Sequence, residues 1–227
     1  FEAILGATHT HKQITKLRSL NLAFNTAGPS GAQYASCLLK GTPNLTSLNL
    51  SVNLLKEEGA AFLAGGLAHL TKLTELSMWG NAFGEGGMTA LAEPIGQMPN
   101  LETLDLRTNR LLKGGCEALA GILPACTRLT DIDLSSNGVC SEGAAALARA
   151  FMHCPLLTAV RLTYNGLGTQ GGVALIPWLE KAKCMQSLGV QECGIGEETS
   201  QRLVRAAPTC EILLGEGEDD PNLDEKE

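Results

Sequence analysis

Hydrophobic residues recur along this chain with a fixed period of 28. Leu17, Leu45, Leu73, Leu101, Leu129, Leu157 and Met185 share one phase. Three residues on stand Leu20, Leu48, Leu76, Leu104, Ile132, Val160 and Leu188; five on stand Leu22, Leu50, Met78, Leu106, Leu134, Leu162 and Val190. At eight comes an Asn, from Asn25 through Asn53, Asn81, Asn109 and Asn137 to Asn165, with Cys193 in the seventh copy. At ten come Ala27, Leu55, Phe83, Leu111, Val139, Leu167 and Ile195, and no insertion interrupts the series. The alternating L-x-L predicts a short strand with inward leucines in each copy. A recurring Gly (Gly31, Gly59, Gly87, Gly115, Gly143, Gly171) precedes apolar pairs four apart, such as Leu63 with Leu67 and Leu119 with Leu123. That spacing predicts an amphipathic helix in the second half of each copy. Helices are about 10 Å wide and strands about 4.8 Å apart, so a row of such units must curve with its sheet inside. One unit cannot bury its apolar face alone, so stability depends on neighbours and on end caps.

Each copy reads L-x-x-L-x-L-x-x-(N/C)-x-(apolar), which resembles the leucine-rich repeat. A strand and a full helix within 28 residues resemble the ribonuclease-inhibitor-type group. That group includes the ribonuclease inhibitor, the repeat domains of NOD-like receptors, Ran GTPase-activating protein and tropomodulin. The resemblance covers roughly residues 14–214 and is specific for fold but nearly silent on function. It implies a right-handed α/β solenoid, a leucine-rich repeat horseshoe of seven repeats, with a parallel sheet on the concave side and helices on the convex side. Residues 1–16 are expected to be the end of a preceding helix serving as a cap, 17–212 the repeat domain, and 213–227 a partial cap strand and an acidic disordered tail. Cys210 and Leu213 fit an eighth strand, with Glu211–Leu214 as the capping segment, and Glu216 and Glu218 at the next core positions end the array. The chain opens on Phe1 with no signal peptide visible, and is read as part of something longer.

With 227 residues, 44% hydrophobic and 18% charged, the chain suits one domain with a sizeable core. Its net charge of −7 argues against nucleic acid as a partner, and the acidic tail against anionic lipid. No apolar run approaches the roughly 20 residues of a membrane helix. The eight cysteines show no C-x-x-C and no His at a zinc spacing, so reduced thiols in a cytoplasmic protein, or alternatively a nuclear one, are expected. The absence of cysteine-rich caps points the same way. Two glycosylation triplets, at Asn44 and Asn49, point the other way, though Asn49 is expected in mid-strand, a poor acceptor position.

No catalytic set stands out, so no enzyme activity, no cofactor and no metal is expected. Cys126, Cys154 and Cys210 share a core phase; Cys37, Cys116, Cys140 and Cys184 are left open as reactive thiols, without a neighbour that would lower their pKa. His9 and His11 lack further metal ligands, and His69 and His153 suit helix C-termini. Gly84–Gly87 and Gly168–Gly172 lack the Lys-Ser/Thr of a P-loop and are read as turn glycines.

The repeat phase identifies four variable columns on the open face of the sheet, mostly small and polar. The third runs Ala23, Ser51, Trp79, Arg107, Ser135, Thr163, Gln191, and the fourth Phe24, Val52, Gly80, Thr108, Ser136, Tyr164, Glu192. Phe24, Trp79 and Tyr164 stand out there, because exposed aromatics are the usual anchors of interfaces. Glu75, Asp105, Asp131 and Asp133 make the middle acidic, with Arg107 and Arg161 embedded. The functional reading is a non-catalytic module that binds a protein, preferring a basic segment, through this face. It would belong to a larger regulatory, sensor or scaffold protein, be monomeric as a fragment, and bind no small molecule. The bland alternative is a solvated face in which Trp79 stacks on Arg107 and Arg161 pairs with Asp133. Two other functions stay open. A GTPase-activating protein like that for Ran would use Arg107, Arg161 or Asn165. An inhibitor like the ribonuclease inhibitor would set an acidic face against a basic enzyme.

Overall fold

A computed structural model of the chain describes residues 14–215. Eight short parallel strands form one sheet in sequence order: β1 Ser19–Asn21, β2 Ser47–Asn49, β3 Glu75–Ser77, β4 Thr103–Asp105, β5 Asp131–Asp133, β6 Ala159–Arg161, β7 Ser187–Gly189 and β8 Glu211–Leu213. Between them lie seven helices: α1 Gly28–Lys40, α2 Lys56–Leu67, α3 Gly84–Gly96, α4 Leu112–Ile122, α5 Ser141–Phe151, α6 Gly168–Leu179 and α7 Glu197–Ala206. The register steps by 28 from Leu20 to Leu48, Leu76, Leu104, Ile132, Val160 and Leu188. The fold is the α/β horseshoe solenoid that the periodicity predicts. The expected preceding helix over residues 1–13 and the acidic tail from Glu216 lie outside the described residues.

The core follows the repeat phases. Leu45, Leu73, Leu101 and Leu129 have no exposed surface, nor do Leu104, Ile132, Val160 and Leu188. The strand sequences are too short to hold a sheet by themselves, and backbone bonds beyond them extend each ladder. Thr46 N–H donates to the Arg18 carbonyl at 2.7 Å, and Phe24 N–H to that of Ser51 at 2.9 Å. Where each strand ends, the Asn side chain takes over. The Asn137 amide oxygen accepts the Asn109 N–H at 2.8 Å, and its Nδ2 donates to the carbonyls of Leu106 at 3.0 Å and Leu134 at 2.9 Å. In the seventh repeat, Cys193 Sγ reaches the Leu162 carbonyl at 3.1 Å, so the thiol keeps the donor role, and its sulfur faces the Asn165 N–H as a weak acceptor. This ladder satisfies buried backbone groups that no strand or helix reaches.

Two sequence expectations are corrected here. Gly84 and Gly168 stand at the first positions of α3 and α6, where the chain turns into the helix at φ +66 and +61. Gly87 and Gly171, however, lie inside α3 and α6 and serve close packing between helices. A Cβ on Gly87 would stand 2.9 Å from Phe83 Cβ and 3.1 Å from Ala60 Cβ, and one on Gly171 would stand 3.2 Å from Ser141 Cα. Cys116, left open as a reactive thiol, is fully buried. Burial, with smaller effects of Cys140, Glu85 and Glu117, pushes its thiol up to about 12, the opposite of an activated nucleophile.

Candidate concave interaction face

The sheet presents its variable columns side by side, and their side chains form one connected row. Phe24, at the start, is 68% exposed. Its ring meets the Trp79 ring edge-on, with centroids 5.7 Å apart. The contact skips a repeat, since Phe24 belongs to the first copy and Trp79 to the third. Ser51, the column-mate of Trp79 in the intervening repeat, is fully buried rather than open as expected, and its Oγ lies 2.8 Å from that of Ser77. On the other side of the indole, the Arg107 guanidinium lies 5.4 Å from the ring centroid, within cation–π range. Trp79 is therefore held between a ring and a cation and is half-buried.

Arg107 in turn grips Asp105 through two bonds, Nε to Oδ1 at 3.0 Å and Nη2 to Oδ2 at 2.8 Å, and lies 3.5 Å from Asp133. Arg161 grips Asp131 in the same two-pronged way, at 2.7 and 3.1 Å, and reaches Asp133 only at 4.0 Å. The expected pairing of Arg161 with Asp133 is thus secondary, because the diagonal across the strands to Asp131 admits both prongs. Glu75 is exposed, and no hydrogen bond or ion pair of its side chain is found among the described residues. Tyr164, 65% exposed, stands five strands from Phe24, about 24 Å at the usual strand spacing. The row joins Phe24, Trp79, Arg107, Asp105, Asp133, Arg161 and Asp131, while Glu75 and Tyr164 stand apart from it.

Asp133 is the exception to an open face, at 7% exposed. Burial pushes its carboxyl above the ordinary 3.8, opposed by the Ser135 N–H and hydroxyl and by Arg107, with Asp105 adding to the rise. Hydrogen bonding to Asp105 and Asp131 raises the pKa values of Arg107 and Arg161, so both stay charged. A carboxyl whose folded pKa is raised favours the native state at low pH and loses that advantage as pH rises through and beyond 3.8. Asp133→Asn removes the ionisation. Its stability relative to wild type should therefore be higher at neutral pH than near pH 3.5, read by urea titration at both; a gap that does not change with pH would refute the assignment.

The fourth column has a property that the sequence does not disclose. Its residues adopt the left-handed backbone, with φ +60 at Phe24, +53 at Val52, +55 at Thr108, +56 at Ser136 and Tyr164, and +53 at Glu192. Only Gly80, at φ +71, meets this turn without the roughly 1–2 kcal/mol that a side chain costs there. The exposed aromatics Phe24 and Tyr164 thus project from strained positions fixed by the repeat.

Charge divides unevenly between the array and the tail. Residues 14–215 carry 16 Asp/Glu and 15 Lys/Arg, whereas Glu216–Glu227 carry seven acids and one Lys. The acid excess that argues against nucleic acid is mostly the tail's, and the array itself is nearly neutral. Among the described residues no helix is long and apolar enough to cross a membrane, and no three His, Cys, Asp or Glu side chains cluster as metal ligands would.

A family model described as "Leucine Rich repeat" matches residues 13–34, 69–92, 97–120, 125–148 and 153–175, just over half of the chain. No curated protein matches the sequence. Among solved structures, leiomodin-1 actin-binding site 2 is similar with a TM-score of 0.55 and 16% identity, over 67% of this chain and 87% of that one. The structure of the TLR13–ssRNA13 complex is similar with a TM-score of 0.53 and 19% identity, over 89% of this chain but only 26% of that one. At such identities the likeness is one of fold.

Proposed function

Because the chain belongs to the leucine-rich repeat family, we propose that it is a non-catalytic module of the ribonuclease-inhibitor type that binds a protein partner through its concave face. The observation that carries this reading is the Phe24–Trp79–Arg107 stack, with its exposed ring at 68%. A rigid aromatic anchor held on an open sheet is how interfaces concentrate binding energy. The preference for a basic segment rests on four carboxylates, Glu75, Asp105, Asp131 and Asp133, against two guanidiniums. The bidentate pairs already neutralise Asp105 and Asp131, so Glu75 is the carboxylate best placed to meet a cation. The two similar structures are an actin-binding site and a complex with ssRNA13; for this chain the acid excess of the face favours protein over RNA. A role inside a larger regulatory, sensor or scaffold protein in the cytoplasm fits the same reading.

The test is capture from a cell lysate on immobilised chain, read by quantitative mass spectrometry. A partner held by wild type should fall about tenfold or more with Phe24→Ala/Trp79→Ala/Tyr164→Ala. It should persist with Phe62→Ala, which removes an exposed ring from α2, and after nuclease treatment. Capture that survives the triple replacement, or is lost with Phe62→Ala or nuclease, would overturn the reading.

A further inference from the structure

A second surface lies away from the sheet, on the edge where strands begin and helices end. Met152 and Leu156 are large apolar side chains left 42% and 47% exposed there. Both depart from their own repeat phase. The positions equivalent to Leu156 in the first five copies are Lys16, Asn44, Lys72, Asn100 and Arg128, all polar. Those equivalent to Met152 within the described residues are Lys40, Ala68, Gly96, Pro124, Glu180 and Pro208. The register that pairs Asp133 with Arg161 and Arg161 with Gly189 also sets the neighbours of this pair. Pro124, Met152 and Glu180 share one row, Ala125, His153 and Lys181 the next, and Arg128, Leu156 and Cys184 a third. The same phase places Arg128, Arg149, His153, Lys181 and Lys183, all exposed, on this edge with the two apolar side chains. Arg128 pairs with Glu102 at 2.6 Å; among the described residues Arg149, Lys181 and Lys183 have no ion-pair partner.

A groove of about 470 Å³ opens beside them. Pro124 of the 3-10 turn Leu123–Ala125 that follows α4 lines it, as do the small side chains of Ala120 on α4 and Ala146 and Ala150 on α5. Arg149 and His153 stand on its walls, with Glu117 also lining it.

We infer that this edge is a docking surface for an acidic polypeptide segment carrying apolar side chains. Its carboxylates would meet Arg149, Lys181 and Lys183, and its apolar side chains would lie against Met152 and Leu156 and enter the groove. Charge complementarity sets the sign of the partner. The groove separates a peptide from an anionic bilayer, which meets only protruding groups, and Glu117 and Glu180 repel lipid phosphates. The inference does not depend on the concave face.

The probe is a fluorescein-labelled helical peptide with Leu at i, i+3 and i+4 and Glu elsewhere, titrated with the full chain and followed by anisotropy. Saturable binding that weakens with salt is expected. Met152→Ser/Leu156→Ser and Lys181→Glu/Lys183→Glu should each weaken it about tenfold or more, with unchanged thermal melts because all four side chains are exposed. Phe24→Ala/Trp79→Ala should leave it unaltered, which separates this surface from the concave one. The inference falls if no saturable binding occurs, if both edge variants bind like wild type, if the concave variant abolishes binding, or if phosphatidylserine vesicles bind in place of the peptide.

Discussion

Replacing Asn81 with alanine should cost about 3–5 kcal/mol of stability, summed over the groups left unpaired. Asn81 has no exposed surface. Its amide oxygen accepts the N–H groups of Asn53 at 3.0 Å and Leu55 at 3.4 Å. Its Nδ2 donates to the carbonyls of Leu50 at 3.0 Å, Met78 at 2.8 Å and Trp79 at 3.4 Å. Alanine leaves two buried N–H groups with no acceptor, and water cannot reach them. Asn81→Cys should cost less, about 1–2 kcal/mol, because a thiol keeps a donor, as Cys193 does toward Leu162. Urea unfolding of the three proteins checks both the size and the order. A loss below about 1 kcal/mol for Asn81→Ala would mean that the ladder does not hold the repeats together.

The two tryptophans should behave in opposite ways. Trp178, 2% exposed, packs on Phe151 with ring centroids 5.0 Å apart. Trp178→Ala should cost about 3–5 kcal/mol, the transfer term plus a cavity between helices. Trp79→Ala should cost within about 1 kcal/mol, because its ring gives up surface contacts and one exposed cation–π pair. The same two substitutions should reverse their order in partner capture once the Trp178 variant is assayed at a temperature where it stays folded. Equal stability losses would contradict the assignment of one indole to the core and the other to the face.

The contrast also marks what the sequence can carry. A residue such as Leu76 or Leu104 is legible because every copy needs an apolar side chain at that phase, and the register follows from the same spacing. The Asn ladder is legible for the same reason. Trp178 is not, since its phase holds Leu38, Gly66, Pro94, Ile122, Ala150 and Ala206 elsewhere, and the volume there is set by each local gap between helices. At Gly66 there is no gap, as a Cβ would stand 2.7 Å from Ser36 Cα. The face is legible only in part. Successive copies of one column place Arg107 beside Trp79. The reach of Phe24 across a whole repeat depends on ring size and rotamer, and the preference of Arg161 for Asp131 on a diagonal that phase alone does not rank. The edge around Met152 and Leu156 is visible in the sequence as a break in the polar phase, but the groove beside it, lined by Pro124 of the 3-10 turn, needs coordinates.

Hydroxyl-radical footprinting of the chain alone and bound to its captured partner tests the concave reading most directly. Exposed rings report from both sides: Phe24 and Tyr164 with the half-buried Trp79 on the sheet, Tyr34 and Phe62 on the helices. Loss of reactivity at Phe24, Trp79 and Tyr164, with Tyr34 and Phe62 unchanged, is the predicted result. Protection confined to Tyr34 and Phe62, with the three sheet rings as reactive as in the free chain, would contradict it.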